Sequence, residues 1–265
     1  MGQSDRKIAF VLASSNHGTM ILNRFDYRMV NETNGYGVGY QILEKSAHDA
    51  QEVAFAISLL DLRRKYFGDG VVALDCGANI GVHTIEWARK MAGWGSVVAI
   101  EAQERIYYAL AGNIAINNCF NAKAMFAAVA AEDGTIKIPQ PNYLAPASFG
   151  SLELRKRENN EFIGQKIDYS DDTMSEVRAI RLDSLGLKRI DMIKLDIEGM
   201  ELDALQGATN SIETCHPILI VESIKTDEGK LLSLLAQHEY QVFRMGMNFL
   251  AVHKSDSTLN HVANR

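Results

Sequence analysis

Five carboxylates sit where side chains could do chemistry: Asp75, Glu101, Asp196, Glu198 and Glu222. Four of them follow an apolar, β-branched run. Asp75 ends Val71–Asp75, Glu101 ends Ser96–Ile100, Asp196 ends IDMIKLD, and Glu222 ends Ile218–Val221. Glu198 lies two residues past Asp196. Carboxylates at strand tips can hold hydroxyls, balance a cation or take a proton from a weak nucleophile. Behind Asp75 comes the loop D-C-G-A-N-I-G, with Gly77, Asn79 and Gly81. A strand that feeds a glycine loop and then a helix lets a ligand approach the backbone closely. Glu101 stands twenty residues after Gly81, where an open α/β sheet holds the two hydroxyls of a ribose.

The loop narrows the ligand. A dinucleotide loop carries G-x-G-x-x-G and no acid beside the pyrophosphate. This loop has one glycine fewer, an asparagine in its middle and an acid in front. Asp75 repels a pyrophosphate but suits a ligand that carries a sulfonium and an amino group. S-adenosylmethionine has both and no phosphate, so it is the expected cofactor. NAD is the rival that the missing middle glycine argues against.

These side chains need a frame. Gly81–Ala92 reads as a helix with Val82, Ile85, Ala88 and Ala92 on one face. Further helices are expected at Ala50–Tyr66, Arg105–Asn118, Met200–Ala208 and Gly229–His238. Strands are expected at Met125–Ala130, Thr135–Ile138, Asp191–Asp196 and Ile218–Glu222, with a closing hairpin at Tyr240–Met245 and Phe249–His253. Ile8–Ala13 reads as a further strand, and Gly35–Gly39 as a hairpin or turn. Alternating strands and helices require a mostly parallel, doubly wound sheet covered on both faces. Right-handed crossovers set the first and fourth core strands side by side at the switch point. Asp75, Glu101, Asp196 and Glu222 then project from one carboxyl edge.

The expected division is an N-terminal arm, 1–67, for substrate or oligomer contacts; a cofactor-binding domain, 68–254; and a flexible tail, 255–265. Within the domain, 139–178 breaks the alternation with Pro139, Pro141 and Pro146 and reads as a lid or substrate loop. The chain has 265 residues, 47% hydrophobic and 23% charged, with a net charge of −6. That balance and the lack of a basic run argue against nucleic acid. No apolar run is long enough to span a bilayer, and Cys76, Cys119 and Cys215 read as reduced thiols, so a cytoplasmic protein without a membrane partner is expected. A homo-oligomer stays open.

DCGANIG at 75–81, AIEAQ at 99–103, IDMIKLDIEGMELDALQGA at 190–208 and PILIVES at 217–223 resemble the FkbM family of S-adenosylmethionine-dependent methyltransferases. The resemblance covers about Val71 to Glu222. It implies a class I, Rossmann-like methyltransferase fold with a seven-stranded sheet, and transfer to a hydroxyl of a small molecule, sugar or glycan. Carried over, Asp75, Gly77, Asn79 and Gly81 line the methionine half of the cofactor. Glu101 takes the ribose, Ala102 lies near the adenine, and Ala127–Val129, with Ala128 at its centre, flanks the adenine edge. Asp196 sits beside the amino group or the methyl, and Glu198 and Glu222 face the acceptor.

A sugar-like hydroxyl must lose its proton during attack, which requires a general base or a metal. Asp196, Glu198 and Glu222 are the catalytic candidates, with His83 a weaker one. A divalent ion on these carboxylates is chemically open but not favoured, because no dedicated metal motif is present. Glu201 reads as a surface or capping residue, Lys194 as a structural ion pair, and Trp87 and Trp94 as packing. The alternatives left standing are N-methylation or nucleic-acid methylation on the same fold, a nicotinamide oxidoreductase and a non-catalytic cofactor-binding remnant.

Overall fold

A computed structural model of the chain describes residues 6–32 and 34–262. Residues 1–5 and 33 of the expected arm, and 263–265 of the expected tail, lie outside the described residues. By internal contacts the chain divides into two units, Met1–Asp49 with Lys137–Ser175, and Ala50–Ile136 with Glu176–Arg265.

In the first unit, β1 (Phe10–Ser15) and β2 (Gly18–Asn23) form an antiparallel hairpin. β3 (Arg28–Met29) and β4 (Gly35–Tyr36) pair before α1 (Val38–Lys45). The glycines expected to turn here do so for a steric reason. A Cβ on Gly37 would stand 2.4 Å from the Asp26 carbonyl oxygen, at a φ of +144°. Asp26 organises the unit: its carboxylate is buried and accepts the N–H groups of Gly39 and Phe149, each at 3.0 Å. Burial pushes its carboxyl up to about 6, against the pull of those two amides.

From Ala50 onward the elements are α2 (Ala50–Phe67), β5 (Val71–Cys76), α3 (Val82–Lys90), β6 (Gly95–Glu101), α4 (Glu104–Ile116), β7 (Ala122–Phe126), β8 (Ala128–Val129) and β9 (Gly134–Ile138). Then come β10 (Ser175–Ile180), β11 (Met192–Leu195), α5 (Glu201–Gln206), α6 (Thr209–Cys215), β12 (Ile218–Glu222), α7 (Glu228–Gln237), β13 (Tyr240–Met245), β14 (Asn248–His253) and α8 (Leu259–Val262). A seven-stranded sheet runs β13-β14-β12-β11-β5-β6-β7. Its five strands from β12 to β7 are parallel, and the β13–β14 hairpin closes it antiparallel. This is the expected class I, Rossmann-like architecture. Every residue of β11 and nearly all of β5 and β12 are buried, as strands covered on both faces must be. The switch point falls between β5 and β11, with Lys194 opposite Asp75.

Several expected boundaries differ. Ala92 is exposed, because α3 ends at Lys90 and Gly93, at φ +83°, turns the chain away; buried Met91 takes the core position. Met125–Ala130 is not one strand: Ala127 donates to the Glu101 carbonyl, β7 stays in the main sheet, and β8 leaves it for a short sheet of order β8-β10-β9. The end of the expected insertion 139–178 is the start of β10, which runs parallel to β8 with Ala179 opposite Ala128. Helix α2, grouped above with the arm, counts with the second unit, since Val53, Ala56, Leu59 and Leu60 are buried on its face toward β5 and α3. The expected tail is built into the second unit as far as Val262: Asp256 is buried and pairs with Arg63 at 2.5 Å. Among the described residues no helix is long and apolar enough to cross a membrane.

Candidate active site

The loop after β5 is shaped by the chain's own packing. A Cβ on Gly77, at φ +77°, would lie 1.8 Å from the carbonyl oxygen of Asp196. The backbones leaving β5 and β11 therefore touch, and only glycine fits. Gly81 starts α3 at φ +93°, where a Cβ would meet Leu110 of α4 at 2.6 Å. Asn79, at φ +50°, stabilises its own left-handed turn by accepting the Ile80 N–H at 2.7 Å.

Asp75 is 1% exposed. Its Oδ2 accepts the Thr84 hydroxyl at 2.5 Å, while Oδ1 is buried without a hydrogen-bond partner among the described residues. Burial pushes its carboxyl up, and Lys194 and Thr84 act against that. Lys194, buried on β11, pairs with Asp196 at 2.7 Å. Burial disfavours the Lys194 charge, but Asp196, Asp75 and Glu52 outweigh it and hold the ammonium above its ordinary range. The structural ion pair expected of Lys194 is there, with a carboxylate on each side.

Glu101 ends β6 and is buried. Its Oε2 accepts the Asn79 N–H at 3.0 Å and its Oε1 the Gln103 N–H at 2.7 Å. Burial still pushes it up to about 7. A third amide, that of Ala102, also acts against that rise. Ala102 lies next to it, 9% exposed. Ala128 is apart from this group, in the short sheet with its backbone paired to β10 and only 2% of its surface exposed.

Asp196, Glu198 and Glu222 come together: each offers a carboxylate oxygen, and the three lie within 4.8 Å of one another. They are not equivalent. Lys194 holds Asp196, and Lys225 pairs with Glu198. Among the described residues Glu222 is seen in no ion pair, though Lys225 and Lys194 act on it from further off, and its Oε2 is buried without a hydrogen bond. Burial and then the Glu222 charge push Glu198 well above the carboxylate range, with Lys225 opposing. Burial, Asp196 and Glu201 push Glu222 up to about 8. A hard divalent cation would want several free oxygens, and two of these three carboxylates are already committed to ammonium groups.

The remaining candidates fall into place. His83 is 7% exposed on α3, with Nε2 3.5 Å from Glu52 of α2 and its ring edge-on to Trp87. Trp87 is wholly buried and Trp94 is covered by Arg64, both as packing. The three cysteines are free thiols. Glu201 is not a surface residue, since it has no exposed area, and it does not cap α5: its Oε1 accepts N–H groups from the loop before the helix. Glu52, Thr84 and Lys225 were missed. Only Lys225 had a local signal, as a lysine three residues past the tip of an acid-ended strand.

A cavity of about 450 Å³ lies elsewhere in this unit, lined by Arg63, Arg189, Asp191, Cys215, His216 and Asp256 among others. It is at the opposite, amino-terminal edge of the sheet, where Arg63 pairs with Asp191 and Asp256, Arg189 pairs with Asp191, and Lys188 also lines the wall.

Known proteins resemble this chain in sequence and in fold. Methyltransferase sdnD of Sordaria araneosa is 28% identical over 187 residues, which cover 59% of this chain and 72% of that protein. Methyltransferase FkbM from Methylobacillus flagellatus KT superposes with a TM-score of 0.48 at 19% identity, over 72% of this chain and 47% of its own. WbdD superposes with a TM-score of 0.50 at 11% identity, over 82% of this chain and 43% of its own. This chain thus spans less than half of either solved chain. The model of the methyltransferase FkbM domain matches residues 75–242, from the acid that opens the glycine loop into the first strand of the closing hairpin, and the chain belongs to that family of methyltransferases.

Proposed function

We propose that this chain binds S-adenosylmethionine at the edge formed by β5, β6 and β11 and methylates a hydroxyl oxygen on a small molecule, sugar or glycan. When bound, the cofactor supplies an electrophilic methyl group on a sulfonium. The observation that carries the reading is the charge imbalance at this edge. Asp75, Glu101, Asp196, Glu198 and Glu222 converge there, and among the described residues two lysines, Lys194 and Lys225, are seen to pair with members of the group. Such a site favours a ligand with cationic groups and disfavours a pyrophosphate.

Asp75, through its open Oδ1, holds the ligand's ammonium, and Glu101 receives the ribose hydroxyls. Gly77, Asn79 and Gly81 set the loop between them, with Ala102 beside the adenine; Ala128 supports that side from within the protein. Asp196, steadied by Lys194, keeps the methyl end in line with the acceptor oxygen, where alignment supplies most of the acceleration. Glu222, of the three carboxylates the one seen in no ion pair, takes the acceptor's proton with Glu198 beside it.

The first test is isothermal titration with S-adenosylmethionine and S-adenosylhomocysteine, with NAD as the control. Micromolar binding of the two sulfur ligands alone is expected, followed by transfer of labelled methyl to a hydroxylated acceptor that chelators do not stop. Binding of NAD instead, or of none of the three, refutes the cofactor assignment. Loss of transfer on chelation refutes the unaided carboxylate base.

A further inference from the structure

The last acid of the K-x-D-x-E-G-x-E run, Glu201, has no part in the chemistry above, yet it is the most completely buried carboxylate of that run. It opens α5, and its Oε1 accepts the backbone N–H groups of Ile197 and Gly199, each at 3.1 Å. A carboxylate serving only its helix would accept from that helix's first turn and could stay exposed. These two bonds run backward, out of the helix, into the loop after β11. They bracket Glu198, which has a φ of +56°, followed by Gly199 at +95°. A non-glycine residue in the left-handed region is strained and persists only where its surroundings enforce it.

We propose that Glu201 is the positioning residue of the acceptor-side carboxylates: it clamps 197–199 in the left-handed turn that presents Glu198 to Glu222. The inference rests on the reading of Glu198 and Glu222 as the acceptor-side pair. Glu198 is then held at two points, its backbone by Glu201 and its carboxylate by Lys225. Glu201 contributes an oxygen at the right reach rather than a charge. Its Oε2 makes no hydrogen bond among the described residues, and the neighbouring acids Asp196 and Glu222 would accept an amide NH2 there more readily than an anion. Glutamine should therefore replace it, and aspartate, one methylene shorter, should not.

The test is amide hydrogen exchange by NMR on the full chain, with S-adenosylhomocysteine calorimetry alongside, for E201A, E201D and E201Q. In E201A and E201D the amides of Ile197 and Gly199 should exchange roughly tenfold faster, the loss of about one hydrogen bond each. In E201Q they should stay near the native rate. Homocysteine-ligand affinity should move less than about threefold in all three variants, while kcat for methyl transfer falls in E201A and E201D and recovers in E201Q. Unchanged exchange at both amides in E201A, or E201Q behaving like E201A, overturns the proposal. If E201A fails to fold, E201D against E201Q decides alone. Absence of ligand binding in the native chain would strike the functional reading instead, and leaves the exchange result to judge the clamp.

Discussion

Replacing Asp75 by asparagine separates its charge from its shape. In the native chain Oδ2 takes the Thr84 hydroxyl at 2.5 Å, and Oδ1 stays buried and open. The asparagine carbonyl can satisfy Thr84, which turns its NH2 toward the open position. A ligand ammonium would then face a donor where it needs an acceptor. A hydrogen bond to a charged group contributes about 1.5–3 kcal/mol, and breaking a fully buried ion pair costs about 3–5 kcal/mol. Under the reading proposed above the lost contact is a hydrogen bond to a charged ligand and not an ion pair of the native chain, so the first range applies. An expected loss of about 1.5–3 kcal/mol corresponds to roughly 12- to 150-fold in Kd.

Stability should move differently. Burial already pushes the Asp75 carboxyl up, so ionised Asp75 is a cost that the fold carries, and Lys194 retains Asp196 as a partner after the substitution. The variant should melt at the same temperature as the native chain or higher while binding S-adenosylhomocysteine weakly. Calorimetry and a thermal melt on the same preparations read both. A Kd within about threefold of native, or weak binding that comes with a lower melting temperature, would refute the argument that Asp75 is reserved for a cation.

Lys194→Met removes the ammonium between Asp75 and Asp196; a fall of about 3 kcal/mol in denaturant-derived stability is expected, the low end of the range for a broken buried pair because Asp196 is 40% exposed. No loss would mean that water already screens the site. Gly77→Ala should yield no folded protein, since its Cβ would sit 1.8 Å from the Asp196 carbonyl; a soluble variant with a native fluorescence spectrum would show that β5 and β11 can part. In the first unit, Asp26 binds its proton more tightly folded than unfolded, from 3.8 up to about 6. Its contribution is therefore fully present below pH 3.8 and lost as pH rises through about 6, a change of about 3 kcal/mol. Amide exchange in Gly18–Lys45 should report that slope between about pH 4 and 6 and level off above it, and Asp26→Asn should flatten it; an equal slope in the variant assigns it to another group.

The second unit's sheet and its acid-bearing edge were legible because buried parallel strands are continuous apolar runs and their ends are marked by a change to acid or glycine. Val71–Cys76 and Ile218–Glu222 are readable on those grounds alone. Ser175–Ile180 was not read as a strand, although its Val177 and Ala179 point inward between exposed Glu176 and Arg178; the proline- and charge-rich stretch before it masked the alternation. α6 was missed because Thr209, Asn210, Ser211 and Thr214 are poor helix formers, and its start is held by Asp183, whose carboxylate accepts the Asn210 and Ser211 N–H groups. The Asp26 clamp joins residues 123 apart in sequence, a separation no local pattern reports. The glycine loop is expected to let a ligand approach the backbone, whereas the close approaches that Gly77 and Gly81 make are to Asp196 and Leu110 of the chain itself.

That last point changes what the loop motif means. Gly77 lets β5 lie against the segment after β11, and this contact brings Asp75 of one strand level with Lys194 of the other. Once Lys194 is shared between Asp75 and Asp196, neither acid has a cation of its own, and Asp75 keeps one buried oxygen unused. On the other flank of β11, Glu222 keeps one as well, because Lys225 goes to Glu198. The strand order β12-β11-β5 thus places an open oxygen on each side of Asp196. Under the reading proposed above, one meets the cation of the methyl donor and the other the proton of the acceptor. The glycine would then act on both by setting the spacing of the strands, without touching either ligand.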